Sequence, residues 1–192
     1  MKLFEKTALI LVLIISFSCG NTYNSSKIKS YKIKGLNSNF SLPERFETIS
    51  GTELISKTKV VFGLPNDLAK DKIIKRHIHF IDYENNDLII IEPILERLHI
   101  EEFFLNSFVD MIEEGTVKKT GVSYELISKK FITTKNNNNA FKAKFKYKTE
   151  IEDKYFTTYF LTTKNESLSV SVYSSYGNYD LQDMITRYLN KN

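Results

Sequence analysis

From residue 40 onward the spacing of apolar positions changes several times, and each change marks an element. Phe141, Ala143, Phe145 and Tyr147 alternate strictly with Lys142, Lys144, Lys146 and Lys148. This two-residue period predicts a strand with an apolar face and a wet, cationic face. Tyr124 to Thr133 predicts the strand before it. The chain turns at Glu150 to Lys154 and returns through Tyr155 to Thr163. Lys164-Asn165-Glu166 then turns it into Leu168, Val170 and Val172. Leu181, Met184, Ile185, Tyr188 and Leu189 recur at helical spacing and predict a closing amphipathic helix.

The first half has a weaker rhythm. Phe40-Ser41-Leu42-Pro43 predicts a short entering strand, and Thr52 to Phe62 a second strand ended by Gly63 and Pro65. Between Ile73 and Tyr83, Ile74, Ile78 and Phe80 alternate with Lys75, His77 and His79, a half-buried strand. Glu84-Asn85-Asn86-Asp87 turns it into a short apolar strand, Leu88 to Ile91. Ile100, Phe103, Phe104, Phe108 and Met111 then predict a helix over 100–114, with Gly115 as its C-cap. Adjacent antiparallel strands with helices at fixed points give an α+β class, and residues 40–192 are the size of a single domain.

This order of strands, one central helix, a meander and a C-terminal helix resembles the PsbP-like family of α/β/α sandwich domains. Phe40-Ser41-Leu42-Pro43 with Phe46, and the helix entry Leu98-His99-Ile100-Glu101-Glu102-Phe103, carry the rest of the likeness. The resemblance spans residues 40–192 and implies a mostly antiparallel sheet flanked by helices. It also implies an accessory or binding role, since members share a fold and no single chemistry.

The amino terminus follows a different logic. Lys2 and Lys6 precede an unbroken apolar run, Ala8 to Ile15, closed by Ser16-Phe17-Ser18-Cys19. The run is far shorter than the roughly 20 apolar residues a membrane-spanning helix needs, and suits a signal peptide. The boundary resembles a bacterial lipobox. Ser18 fills the small position before the cysteine, although Ser16 stands where most lipoboxes carry Leu. That resemblance implies cleavage between Ser18 and Cys19 and diacylglycerol on the Cys19 thiol. It explains a lone cysteine in an exported chain, which no intramolecular disulfide can use. The expected organisation is a signal peptide at 1–18, a flexible tether at 19–39 and the domain at 40–192. The expected address is the cell envelope: a lipid-anchored, monomeric domain on the outer membrane, facing the periplasm.

Charge and motifs narrow the chemistry. The net charge of +4 becomes +3 once Lys2, Glu5 and Lys6 leave with the signal peptide, too little to point to nucleic acid. Nucleophile elbows, phosphate loops and zinc-protease motifs are absent from the sequence, so no catalytic residue, metal or cofactor is assigned. Three alternatives stay open. The first is a non-enzymatic binding or accessory domain with an envelope protein as partner. The second is a metal-dependent hydrolase using His77 and His79, with His99 or Glu84 completing the ligand set. The third is a carrier of a lipid or small amphiphile. Tyr173, Tyr176 and Tyr179 cluster before the last helix and are candidate ligand-surface residues.

Overall fold

A computed structural model describes residues 27–62, 78–120, 122–149, 152–177 and 179–192. The strands are β1 (Ile28–Lys32), β2 (Asn39–Pro43), β3 (Glu47–Ile49), β4 (Ile78–Asp82), β5 (Asp87–Ile94), β6 (Tyr124–Thr133), β7 (Asn139–Lys148), β8 (Asp153–Thr162) and β9 (Ser167–Ser174). The helices among the described residues are α1 (Gly51–Phe62), α2 (Glu102–Thr120) and α3 (Gln182–Lys191). β1 and β2 form a hairpin sheet of their own. The other seven strands form one antiparallel sheet in the order β3-β4-β5-β9-β8-β7-β6.

The period-two reading of the second half sets the register. Phe145 pairs with Phe156 on one side and Leu126 on the other, so all three share a sheet face. That face packs under α2, where Ile100, Leu105, Val109 and Phe108 meet Phe141, Phe145, Tyr147 and Phe156. α1 covers the same face farther along, over Ile49, Ile81, Leu88 and Ile90. The opposite face is covered by the β1–β2 hairpin and α3. There Phe40, Leu42, Phe80, Val170, Val172, Leu181, Ile185 and Leu189 form the largest core cluster. A mostly antiparallel sheet with helices on both faces is the α+β architecture that the element order predicts.

Three boundaries depart from expectation. Residues 51–62 form helix α1 and not a strand: the Ser50 hydroxyl accepts from Glu53 N–H at 3.2 Å, and the Ser50 carbonyl accepts from Leu54 N–H. Ser50-x-x-Glu53 is a capping-box spacing, and the cap wins over the β-branched residues behind it. α2 runs through Gly115 to Thr120, so Gly115 does not end it. The tether is corrected over its second half, because residues 28–36 belong to the fold. β1 pairs with β2, and Ile33 and Leu36 are buried in the α3-side core. Gly35 has φ +94°, and a Cβ there would stand 3.3 Å from the Pro93 ring at the end of β5. A side chain at Gly35 would be both strained and crowded. The expected signal peptide, with Ser18 and Cys19, lies outside the described residues, as do Ile73 to His77 of the expected strand.

Candidate functional site

The lysine strand has the predicted apolar face: Phe141, Ala143 and Phe145 are fully buried, and Tyr147 nearly so. Its other face is not the wet one that alternation suggests. Lys142 and Lys144 are buried too, beneath the segment joining β9 to α3. Lys142 Nζ and Tyr159 Oη both donate to the Asp180 carboxylate, and Gln182 N–H donates to it at 2.8 Å. Burial works against the Asp180 charge, but the bonds from Lys142 and Tyr159 and the lysine's charge outweigh it. The carboxyl is held below its ordinary value. Burial pushes the Lys144 ammonium down; its Nζ donates to the Gly177 carbonyl and stands 5.8 Å from the Tyr155 ring centre. Gly177 rests on that ring so closely that a Cβ would meet Tyr155 Cζ at 2.9 Å. Only the outer lysines of the row reach water: Lys146 pairs with Asp153 at 2.7 Å, and Lys148 is exposed.

A second polar cluster lies where β4 turns into β5. Asp82 accepts from Glu84 N–H and the Asn85 amide and pairs with Arg45 Nε at 3.2 Å. Asp87 faces Asp82 across the strands and is fully buried. Burial raises its carboxyl more than the Ser174 hydroxyl lowers it, and the Asp82 charge adds to the rise. Arg45 stacks over Phe46 and Tyr179, with its guanidinium 5.2 and 5.0 Å from the ring centres.

The structure does not gather the three candidate tyrosines into one surface. Tyr173 stacks on Phe156 at 4.8 Å on the α2 side, whereas Tyr179 is buried in the core on the α3 side. Tyr176 alone is exposed, its hydroxyl 3.4 Å from Asn85 Oδ1. His79 is not solvent-facing: it is buried on the α1 side, between Ile49 and Ile90 in register. His99 lies on the surface, bonded to Glu101 at 2.8 Å, and His77 is outside the described residues. Among the described residues no three His, Cys, Asp or Glu side chains converge on a metal position.

Two open surfaces stand out among the described residues. On the hairpin side, a groove of about 110 Å³ lies between the hairpin and α3, lined by Ile28, Asn39, Ser41, Met184, Arg187 and Lys191. Across the sheet, Leu95 (96% exposed), Phe103 (78%) and Met111 (58%) stand in water on and before α2. Over residues 95–114 the exposed charges are mostly acidic: Glu96, Glu101, Glu102, Asp110 and Glu114 against Arg97. The helical spacing that predicts α2 includes Phe103 and Met111 among its core positions. Their exposure is visible only once Leu105 and Val109 are seen to face the sheet. No helix of the described residues is long and apolar enough to cross a membrane.

No protein-family model and no curated protein matches the chain. Solved structures do. The solution structure of cyanobacterial PsbP (CyanoP) from Synechocystis sp. PCC 6803 aligns with a TM-score of 0.53 at 9% identity, over 90% of this chain and 92% of that one. A Pseudomonas aeruginosa protein of unknown function, PA94, aligns over 85% and 92% at 10% identity; its TM-score, 0.34, is below that of a shared fold. At 9% identity the first likeness establishes the fold alone. The domain has a PsbP-like fold.

Proposed function

We propose that the chain is a membrane-anchored envelope lipoprotein whose PsbP-like domain is a non-enzymatic accessory module. It holds a partner protein against α2. The observation that carries this reading is the exposure of Leu95, before α2, and of Phe103 and Met111 on it, in a segment of mostly acidic exposed charge, while the inner residues of the helix fill a core. Apolar side chains left in water and edged by charge are the usual mark of a protein contact. The acidic balance of that segment favours a partner with an apolar patch and basic charge. The PsbP-like fold supports an accessory role, because the family resemblance implies binding modules and not one chemistry. The lipobox-like Ser18-Cys19 boundary supports the anchor.

The test is copurification from solubilised membranes with the wild type and Phe103→Glu, followed by titration of the purified partner against the purified protein. A partner lost with Phe103→Glu, and bound more weakly as salt rises, supports the reading. Binding indifferent to both overturns it. Concentration-dependent self-association abolished by Phe103→Glu would assign the surface to a second copy instead. The anchor is tested separately: Cys19→Ala should abolish incorporation of a fatty-acid probe, and equal labelling of mutant and wild type would refute lipidation.

A further inference from the structure

The folded hairpin shortens the link between the anchor and the domain. β1 begins at Ile28, and the Lys27 carbonyl already accepts from Glu44 N–H at 2.8 Å. The far end of the loop after β1 is fixed as well: Glu166 accepts from Asn37 N–H at 2.6 Å and from the hydroxyls of Ser38 and Tyr188. Lys27 stands only eight positions after Cys19. Eight residues, even fully extended, reach at most about 29 Å. If Cys19 carries the lipid, Lys27 at the start of the hairpin stays within that reach of the headgroups, whatever path the chain takes.

The same face carries the groove between the hairpin and α3. Arg187 and Lys191 line it from α3, and Lys32 on β1 pairs in register with the groove residue Asn39. Lys27 lies at the hairpin's start. Asp183 and Glu44 are the acidic residues on these elements, so cations predominate. Ile28, about half exposed, and Met184 give the groove an apolar side. The groove thus offers a planar guanidinium, an ammonium and an apolar wall, within reach of the bilayer.

We propose that this groove takes the phosphate headgroup of an anionic phospholipid in the leaflet that holds the anchor. Arg187 grips phosphate oxygens with its two-pronged fork, and Lys191 and Lys32 add neutralising charge. Ile28 and Met184 rest against the boundary between headgroup and acyl chain. The domain then lies with its hairpin face on the membrane. α2, on the other face of the sheet, points away from it. The inference rests on the Cys19 reading and adds an orientation to it.

The test uses the lipidated protein purified from membranes. Cys19 is the only native cysteine, so its thioether leaves an introduced Ser30→Cys as the sole reactive thiol. Ser30 is exposed and pairs with the groove residue Ser41. A thiol reaction in protein without Ser30→Cys would mean that Cys19 is free, which defeats the lipoprotein reading independently of the groove. The labelled protein is placed in vesicles whose headgroups carry a quencher, made with phosphatidylcholine alone or with added phosphatidylglycerol. With phosphatidylglycerol, quenching at Ser30→Cys should exceed that at Asp110→Cys on α2 by about threefold, and added salt should reduce it. The Arg187→Glu/Lys191→Glu variant should lose the excess while melting like the wild type. Lys32→Glu, on the hairpin, should lower it independently. Equal quenching in phosphatidylcholine alone, equal quenching at the two positions, or no response to charge reversal overturns the proposal. So does loss of quenching in inorganic phosphate beyond that in chloride of equal ionic strength, which would mark a free-anion site.

Discussion

β7 divides two interiors of different character. On its α2 side Phe141, Phe145 and Tyr147 lie in stacked and tilted ring pairs, with Phe141–Phe160 at 4.8 Å and Phe145–Phe156 at 6.0 Å. On its other side Lys142 and Lys144 are nearly as buried, but are held by Asp180, Tyr159 and the Gly177 carbonyl. The first interior is held by area and shape, and loses stability in proportion to the volume removed. The second depends on each donor keeping its acceptor, because a buried ammonium without a partner is costly. One strand therefore shows two ways to bury a face, and substitutions should separate them.

The largest expected effect is Phe145→Ala, which opens a cavity in the ring cluster and should cost about 3–5 kcal/mol in urea melts. Loss of under 1 kcal/mol would mean that the α2 side is loosely packed. Asp180→Ala comes next. It leaves the Lys142 ammonium and the Tyr159 hydroxyl without their acceptor and should cost about 1–3 kcal/mol. Adding Lys142→Met should recover much of that loss, whereas additive losses would deny the coupling.

Two acids on this face, the half-covered Asp180 and the buried Asp87, should respond oppositely to pH. Asp180 is held below its ordinary value, so its stabilisation is present above the unfolded carboxylate range. It is lost as pH falls through the folded value. Asp87 is raised, so its contribution is full below the unfolded value and is lost as pH rises through the folded one. Asp180→Asn should accordingly be destabilising at neutral pH and converge on the wild type in acid. Asp87→Asn should be stabilising at neutral pH and lose that advantage in acid. Parallel curves for both variants would refute the assignment.

Smaller effects sharpen the boundary of the covered face. Gly177→Ala pushes a methyl against the Tyr155 ring and should cost about 1 kcal/mol, with relief from Tyr155→Leu. Lys148→Ala, at the exposed end of the same row, should stay within about 0.5 kcal/mol. If Lys148→Ala cost as much as Asp180→Ala, the covered face would extend farther than the segment over Lys142 and Lys144.

The two halves of the chain were not equally legible. β6 to β9 and α3 are read from spacing alone, because each strand has one face committed to a ring-rich or aliphatic core. A one-residue slip would move that whole face. The same residues said nothing of what lies on the lysine face, since Asp180 and Gly177 come from a distant loop with no period. In the first half, α1 was misread although Ser50 and Glu53 signalled its start. β1 had no local signal beyond the sparse Ile28, Ile33 and Leu36. The groove residues Ile28, Arg187 and Lys191 come from opposite ends of the chain, so no motif could join them.

From spacing alone come the α+β class, the order of the meander's strands and the apolar face of β7, because alternation is a local property that burial must respect. Cys19 is the chain's one cysteine, shortly after an apolar run at Ala8 to Ile15. Tertiary structure decided which polar faces are covered, that residues 28–36 belong to the fold and which apolar residues of α2 stay in water. Those outcomes depend on what packs opposite a side chain, and hydrophobic spacing records only that a face prefers burial, not what will cover the other one.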